Sequence, residues 1–381
     1  MFDESLSEAR RQAEICNACR YCEGYCSVFP AMFSKREFKD GDLTQFASLC
    51  HNCRGCYYAC QYTEPHEFAL NLPRALAELR HDSWKAFAWP RGLAPLFDRA
   101  GVAMAAGLAL TFAVLFWAAT ALRPASGEGF YAIMSHGLMV AIFAPAFVLP
   151  LFAVTVSLLR YWRFVDGGTL RPSAVWNACR AAGSMQDLSG GHGDGCNFED
   201  EDRYSNARRR LHQATLYGFL LCFASTASGT VLHYGFGLEA PYGLVSLPKL
   251  FGLPGGILLC AGTAGLAWLK TKADPALGAP RTWGGEMAFV LLLFTVSATG
   301  LALYAASGSA AAEWLLPVHL GTVLTFFLLT PYSKMVHGFF RLAALAKDAK
   351  RAMIAGPPNG AARRAGRPGH LAAAAAGKAG R

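Results

Sequence analysis

Residues 16–26, CNACRYCEGYC, and residues 50–60, CHNCRGCYYAC, carry the same cysteine spacing, C-x2-C-x2-C-x3-C. This spacing is typical of proteins that bind two [4Fe–4S] clusters. Two matched blocks therefore predict two such clusters, with zinc or purely structural thiols as the alternative. A chain with two clusters of this type is expected to transfer single electrons.

The spacing also predicts which cysteines share a cluster. The first three cysteines of a block lie in one tight loop, whereas the fourth points along the outgoing chain toward the neighbouring cluster. One cluster is assigned to Cys16, Cys19, Cys22 and Cys60, and the other to Cys50, Cys53, Cys56 and Cys26. Ser27 and Gln61 replace the proline that follows the fourth cysteine in bacterial ferredoxins, which argues against a free ferredoxin.

The composition points to a membrane protein. The chain has 381 residues, enough for two or three domains, and 53% of them are hydrophobic. The net charge of +9 comes largely from arginine-rich loops and the tail, and no basic–aromatic stripe favours nucleic acid. The polar N-terminus does not resemble a cleavable signal, and cluster thiolates favour a reducing compartment. The cluster domain is therefore expected in the cytoplasm.

The hydrophobic pattern divides the chain into an all-α cluster domain and an all-α membrane domain. Residues 1–83 form the cluster domain, and 84–100 are predicted to be an interfacial linker, with an ordinary linker as the alternative. The membrane domain spans 101–345, and 346–381 are expected to be a disordered basic tail. Six stretches are long enough to cross a bilayer: 101–122, 136–159, 212–233, 250–269, 285–306 and 318–340.

Lysine and arginine concentrate in the second and fourth loops and after the last span. With six spans, this bias places both termini and the clusters in the cytoplasm, under a bacterial inner membrane. The second loop, 160–211, is unusually long. Its Cys179, His192 and Cys196 are a candidate metal site, weighed against a plain loop or a segment that docks a partner.

Histidines at the ends of two predicted spans suggest haem. His212 and His233 end the third span, and His319 and His337 end the sixth. In antiparallel spans, His212 and His337 share the cytoplasmic side and His233 and His319 share the outer side. That arrangement suits one or two bis-histidine b haems, whereas interfacial histidines are the alternative.

The helical phase supports this arrangement only in part. The 18 residues between His319 and His337 amount to five whole turns, so both are expected to face one way. His212 and His233 are roughly 60° out of phase and about 31 Å apart by helical rise, so His136 is an alternative outer ligand. The remaining histidines considered are expected to be ordinary surface residues: His51, His66, His81 and His192.

Three stretches carry a resemblance to a known family. Residues 15–32 (ICNACRYCEGYCSVFPAM), 49–62 (LCHNCRGCYYACQY) and 195–219 (GCNFEDEDRYSNARRRLHQATLYGF) resemble tricarballylate utilisation protein B, also called citrate utilisation protein B. The same region is similar to the C-terminal half of a flavin, Fe–S and haem fusion protein of aerobic cobalamin synthesis. More distantly, it is similar to membrane subunits of heterodisulfide and nitrate reductases.

The resemblance implies a role beside a separate FAD-dependent dehydrogenase, similar to tricarballylate dehydrogenase. Protein B would reoxidise the reduced flavin and pass the electrons to membrane quinone. The sequence itself shows no G-x-G-x-x-G fingerprint after a predicted strand and no Ser–His–Asp or Cys–His set. Cys222 and Cys260 are interpreted as small buried hydrophobic residues.

Two other functions stay open. One is an electron-transfer subunit of cobalamin synthesis or of a complex like heterodisulfide reductase. The other is a membrane anchor or redox sensor whose cofactors carry no turnover current.

Overall fold

The computed structural model describes residues 2–122, 131, 133–190, 193–199 and 203–355. Within this part the fold is all-α, as predicted, and the only strand-like pairing is a single bridge between Cys196 and Ser205. The helices in chain order are α1 (Asp3–Cys19), α2 (Val28–Phe33), α3 (Asp40–Leu49), α4 (Gly55–Tyr58), α5 (Leu72–Phe87), α6 (Ala94–Leu122), α7 (His136–Phe164), α8 (Pro172–Ser184), α9 (Ala207–Phe236), α10 (Leu247–Lys272), α11 (Trp283–Ala305), α12 (Ala311–Leu329) and α13 (Val336–Ala355).

Helices α1 to α5 pack around one apolar core that holds both cysteine blocks. Leu43 and Phe46 of α3 and Leu79 of α5 are almost completely buried in it. Helix α5 begins cleanly because the Asn71 side chain caps it by accepting a hydrogen bond from the Arg74 N–H. The first block starts in the last turn of α1 and the second starts directly after α3, so this core positions both blocks.

Six helices are long and apolar enough to cross a membrane, in agreement with the predicted number. They are the segment of α6 after its kink at Ala100, and helices α7, α9, α10, α11 and α12. Their outer faces carry large exposed apolar side chains, such as Leu110 (67% exposed) and Leu149 (62% exposed). Apolar surface of this extent is expected to face lipid.

Glycines let α9 and α10 approach closely, as the glycine-rich fourth span predicts. A Cβ on Gly218 of α9 would lie 2.5 Å from the Leu259 nitrogen, and one on Gly255 of α10 would lie 2.8 Å from the Leu221 Cβ. Small residues at such crossings are typical of helix packing in lipid. Cys222 and Cys260, on the same two helices, are only partly buried, so they are less enclosed than predicted.

Replacing Gly218 with leucine should destabilise the membrane domain. The new side chain meets α10 backbone that cannot move aside, and overpacking of this kind costs about 1–3 kcal/mol. The midpoint of thermal unfolding in detergent should fall in Gly218→Leu. The matched control is Gly107→Leu, because a Cβ on Gly107 meets no atom within 4 Å. Equal midpoints for the two variants would contradict the close crossing.

The predicted bounds of the sixth span, 318–340, are wrong. Helix α12 begins at Ala311 and ends at Leu329, and α13 is a separate helix. Pro331 cannot continue α12, and Lys334 in the connector forms an ion pair with Glu286 at 2.9 Å. Because His319 and His337 lie on different helices, the argument from five whole turns does not apply.

The apolar face of α13 packs on the cluster domain. Phe340 and Ala344 are almost completely buried there. Residues 346–355 belong to this helix, so predicted disorder is wrong for them, and 356–381 lie outside the described residues. Within the predicted linker, 84–100, α5 continues to Phe87, which lies in the cluster-domain core, and α6 begins at Ala94. The interfacial position of this linker stays a prediction.

The second loop, the fourth loop and α13 all contact the cluster domain. Asp187 of the second loop accepts a hydrogen bond from Ser27, and Leu277 of the fourth loop accepts one from Asn52 at 2.9 Å. These loops and the chain end therefore lie on the same side of the helical bundle as the clusters' cysteines. These segments follow two, four and six spans, and an even number of membrane crossings returns the chain to the side on which the cluster domain lies.

Candidate functional site

The two cysteine blocks share a backbone feature as well as a spacing. The residue after the second cysteine of each block, Arg20 or Arg54, adopts a left-handed conformation, with φ of 57° and 68°. Non-glycine residues rarely occupy this region. Here it reverses the chain, so that the third cysteine of the block returns toward the first two. The repeat seen in the sequence is therefore a repeat in structure.

The cysteine thiols fall into two groups. The first cysteine group has Cys16 and Cys22 as neighbours of Cys19 and Cys60. The second cysteine group has Cys26 and Cys56 as neighbours of Cys50 and Cys53. The structure thus brings together the same sets that the spacing predicts, whereas the cluster ligation itself stays a prediction.

A cavity of about 220 Å³ lies at the first cysteine group. It is lined by all four cysteines of that group and by Cys56 of the second. Phe29, Leu70 and Leu72 give it an apolar wall. A cavity walled by thiols and apolar side chains suits a cluster that has to be kept from water.

The electrostatics of the thiols fit a metal cluster. Burial, reinforced by neighbouring cysteines, raises the pKa of Cys16 and Cys22 to about 12. Such thiols bind protons firmly unless metal ions supply positive charge, because metal binding requires the thiolate. In addition, the N–H groups of Asn52 and Tyr62 donate to the Sγ atoms of Cys50 and Cys60, each at 3.3 Å. Hydrogen bonds to sulfur are among the factors that set the potential of a cluster.

No group of three His, Cys, Asp or Glu side chains in the described part of the chain surrounds a single metal position. This result is compatible with a cubane cluster. Each of its four cysteines binds a different iron, so the sulfur atoms stay apart and do not converge on one point. A mononuclear zinc site, by contrast, requires four ligands at about 2.0–2.3 Å from one ion.

Because each cluster is predicted to bind cysteines of both blocks, substitutions in different blocks should remove the same cluster. Cys60→Ala should remove the same EPR signal as Cys22→Ala, and Cys26→Ala should remove the same signal as Cys53→Ala. The reason is that the fourth cysteine of each block lies with the other block's first three. EPR of the four reduced variants, with iron analysis, tests this. If Cys60→Ala instead matched Cys53→Ala, each block would hold its own cluster.

Three arginines enclose the second cysteine block. Arg80 and Arg341 both donate to the Cys50 carbonyl, at 2.6 and 2.7 Å, and Arg208 donates to the Asn52 carbonyl at 2.8 Å. We call Arg80, Arg208 and Arg341 the arginine clamp. Burial and the nearby Arg80 lower the pKa of Arg341 to about 9. This excess of positive charge suits a negatively charged cluster with four thiolates.

The second loop covers the other side of this block. The Asn197 N–H donates to the Cys53 carbonyl at 2.9 Å, and Arg54 donates to the Phe198 carbonyl at 2.9 Å. Cys196 is buried beside Cys53, whereas Cys179 is exposed on α8. His192 lies outside the described residues, so the candidate metal site in this loop stays a prediction.

His51 is not the surface residue that the sequence suggests. Its side chain is 16% exposed, and its Nε2 lies 3.9 Å from Asp187. Burial, with Arg341 and Arg208 nearby, lowers its pKa well below the ordinary value, which keeps the ring neutral. The feature of the sequence that could have indicated its burial is its position inside the second block, directly after Cys50. His66 and His81 are half-buried.

His212 of α9 and His337 of α13 meet at the end of the bundle next to the cluster domain. Their ring centroids are 5.8 Å apart, and we call them the inner histidine pair. The Nδ1 of His337 contacts the Lys334 carbonyl, and an Nδ1–H hydrogen bond of this kind leaves Nε2 as the nitrogen available to a metal. The Nδ1 of His212 is buried without a partner among the described residues.

At the opposite end of the bundle, His233 of α9 meets His136 of α7. Their ring centroids are 4.3 Å apart, and His233 Nδ1 is buried without a partner in the described part. His319 lies elsewhere, on α12, where its Nδ1 bonds to Thr299 of α11 at 3.0 Å. The structure therefore brings His233 together with His136, the alternative ligand, and not with His319.

Comparison with known proteins agrees with this architecture. Residues 90–357 match the sequence profile of citrate utilization protein B, and residues 9–86 match that of its Fer4-like domain. The chain belongs to the citrate utilization protein B family. It is 41% identical over 369 residues to citrate utilization protein B of Escherichia coli, covering 93% of this chain and 97% of that protein. No solved structure matches the chain.

Membership of the citrate utilization protein B family, with its Fer4-like domain, indicates iron–sulfur clusters and an electron-transfer role. The chain is also a multi-pass membrane protein by the length and composition of six helices. The two cysteine groups described above are the part of this family member that fits the clusters.

The geometry of this citrate utilization protein B homologue also allows a test of haem. Two imidazole nitrogens at about 2.0 Å from one iron place the two ring centroids roughly 6 Å apart. The inner histidine pair, at 5.8 Å, fits that spacing. His136 and His233, at 4.3 Å, would have to separate first. The residues therefore fit a haem at the inner pair better than at the outer one.

Proposed function

We propose that this chain reoxidises the reduced flavin of an FAD-dependent dehydrogenase and passes its electrons to membrane quinone. Two [4Fe–4S] clusters and b haem, when bound, would carry these electrons singly. The observation that carries the proposal is that the second cysteine block and the inner histidine pair are held by the same two helices, α9 and α13. Helix α9 bears Arg208 and His212, and α13 bears His337 and Arg341, so each helix holds the second cysteine block one turn from a histidine of the inner pair.

The two cysteine groups differ in exposure, and this difference suggests a direction. Cys19 of the first group is exposed, and the adjacent Tyr21 is 60% exposed. The second group is enclosed by the arginine clamp and by the second loop. Cys22 and Cys56 are neighbours across the two groups. The first group therefore suits the face where a flavoprotein docks, and the second suits transfer toward the membrane.

The identity of the partner is proposed from the family resemblance. A dehydrogenase of the tricarballylate type is the partner that the resemblance implies. The proposed location is the bacterial inner membrane, with the cluster domain in the cytoplasm. The arginine-rich loops on the side of the cluster domain support this orientation, because such loops stay in the cytoplasm.

Combined optical and EPR spectroscopy of anaerobic membranes tests the function. The partner flavoprotein is added with tricarballylate, and a quinone is added afterwards. Cluster signals and b-haem bands should appear with the substrate and decay with the quinone. The control omits the substrate. Reduction that is much slower than turnover would favour a sensor or anchor, and clusters without any haem band would remove the haem from the proposal.

A further inference from the structure

The arginine clamp acts on one of the two cysteine groups. Arg341 lies near the thiol of Cys50 and Arg208 lies near that of Cys53, and both cysteines belong to the second group. Burial raises the pKa of Cys53 to about 12, and the charge of Arg208 opposes this rise. A positive charge that stabilises a thiolate also stabilises the negative charge that a cluster gains when it is reduced.

The first cysteine group lies in different electrostatic surroundings. Among the described residues, no arginine or lysine acts in this way on the thiols of Cys16, Cys22 and Cys60. The equivalent residues of the two blocks differ in the same direction, because Arg20 of the first block is exposed whereas Arg54 of the second is only 3% exposed. Positive charge therefore distinguishes the two groups.

Hydrogen bonds to sulfur distinguish the two groups less clearly. The Tyr62 N–H donates to Cys60 in the first group, and the Asn52 N–H donates to Cys50 in the second, each at 3.3 Å. Such hydrogen bonds and the net charge both set the potential of a cluster. Since the hydrogen bonds reach both groups, the arginines are the larger difference.

Nearby carboxylates do not neutralise the clamp. In the described part of the chain its three arginines form no ion pair and donate to backbone carbonyls, such as those of Cys50 and Asn52. Asp187 lies near both Arg341 and Cys26 and offsets one charge. Three arginines against one carboxylate leave an excess of two positive charges. The arginines are half-buried, so salt screens these charges only weakly.

Burial acts against the clamp, because surroundings of low dielectric constant disfavour added negative charge. It acts on both groups, however, since it raises the pKa of Cys16 and also that of Cys26. The excess charge of the clamp acts mainly on the second group. One unit charge about 10 Å away, at an effective dielectric constant of about 20, contributes about three times the thermal energy. That energy changes a reduction equilibrium more than ten-fold, so two such charges are expected to outweigh the difference in burial.

From these observations we infer that the arginine clamp raises the reduction potential of the cluster at the second cysteine group above that of the cluster at the first. The inference rests on the proposed function for the presence of both clusters. The electron comes from the partner's reduced flavin, enters at the first group and moves to the second. The transfer needs no proton and no further reactant. The clamp thereby favours electron flow toward the membrane domain.

A redox titration followed by EPR tests the order of the two potentials in the purified full-length protein. Dithionite and mediators set the potential, so neither the flavoprotein nor a quinone is needed. Cys22→Ala and Cys53→Ala, which should each lack one cluster, assign the two signals. The cluster of the second group should be reduced at the higher potential. Equal potentials, or the reverse order, would overturn the inference.

Arg208→Gln and Arg341→Gln each remove one positive charge of the clamp. Each should lower the reduction equilibrium constant of the second cluster about ten-fold, which is about 59 mV for one electron, and change that of the first less than about two-fold. The matched control is Arg210→Gln, because Arg210 is an exposed residue of the same helix α9. Arg341→Lys keeps the charge without the planar donor geometry, so it should retain most of the wild-type potential.

Iron analysis shows whether each variant keeps both clusters. With full iron, an unshifted second potential or equal shifts of both potentials would overturn the inference and leave the proposed function standing. A second potential that falls as far in Arg341→Lys as in Arg341→Gln would show that the clamp acts through geometry and not through charge. If a glutamine variant loses iron, the order in the wild-type protein and the result for Arg341→Lys decide. A wild-type protein without cluster signals would instead remove the proposed function itself.

Discussion

Replacing Cys56 with serine should nearly abolish transfer from the reduced flavoprotein into the membrane domain. Cys56 is half-buried in the second cysteine group and also neighbours Cys22 of the first, so it lies at the junction of the two groups. Loss of one cluster should lower the iron content by about half. The rate of haem reduction by the partner should fall by at least about 100-fold, because a carrier between the surface and the inner pair is missing. Stopped-flow spectroscopy and iron analysis measure both effects.

The control for this variant is Cys179→Ser. Cys179 is exposed on α8 and belongs to neither cysteine group. Its replacement should leave iron content and haem reduction unchanged. Full iron and fast haem reduction in Cys56→Ser would show that Cys56 is no ligand.

Replacing His212 with alanine should remove the haem of the inner histidine pair. His212 is the ring that faces His337, and its loss leaves a possible iron with one ligand from this pair. The b-haem absorbance should fall by about half if two haems are bound, and almost completely if there is only one. Pyridine haemochrome analysis of the purified protein measures the loss. Cluster EPR signals should persist at reduced occupancy, because loss of the inner haem weakens cluster retention only indirectly, through α9 and α13.

His319→Ala separates the two assignments of the outer site. His319 bonds to Thr299, whereas His136 lies against His233. We therefore expect His319→Ala to retain the haem content of the wild-type protein, and His136→Ala to lose any outer haem. Loss of haem in His319→Ala alone would restore the sequence-based pairing of His233 with His319.

The cysteine blocks and the six spans could be predicted because each is a local pattern. The spacing of Cys16, Cys19 and Cys22 is written in consecutive residues, and a run of about 20 apolar residues has few alternatives to a span. The grouping of Cys60 with the first block was predictable for the same reason. The antiparallel arrangement of the predicted spans also pairs His212 with His337, and the structure brings the two rings together although His337 lies on α13 and not in the sixth span.

Contacts between distant segments could not be predicted in this way. The apolar residues of α13 look the same whether they face lipid or protein, so the sequence merged them with α12 into one span. Only the packing of Phe340 on the cluster domain distinguishes the two cases. The burial of His51 and the arginine clamp depend on α9 and α13 meeting the second block, 156 and 291 residues away in two of the hydrogen bonds.

The sharing of α9 and α13 has a consequence for how the protein matures. Any cofactor that fixes the second cysteine block also fixes Arg208 and Arg341, and through one helical turn each it orders His212 and His337. Linkage between binding sites is reciprocal, so haem at the inner pair would favour cluster retention by the same factor. Iron starvation should then deplete both cofactors together. The cluster domain and the membrane domain would mature as one unit.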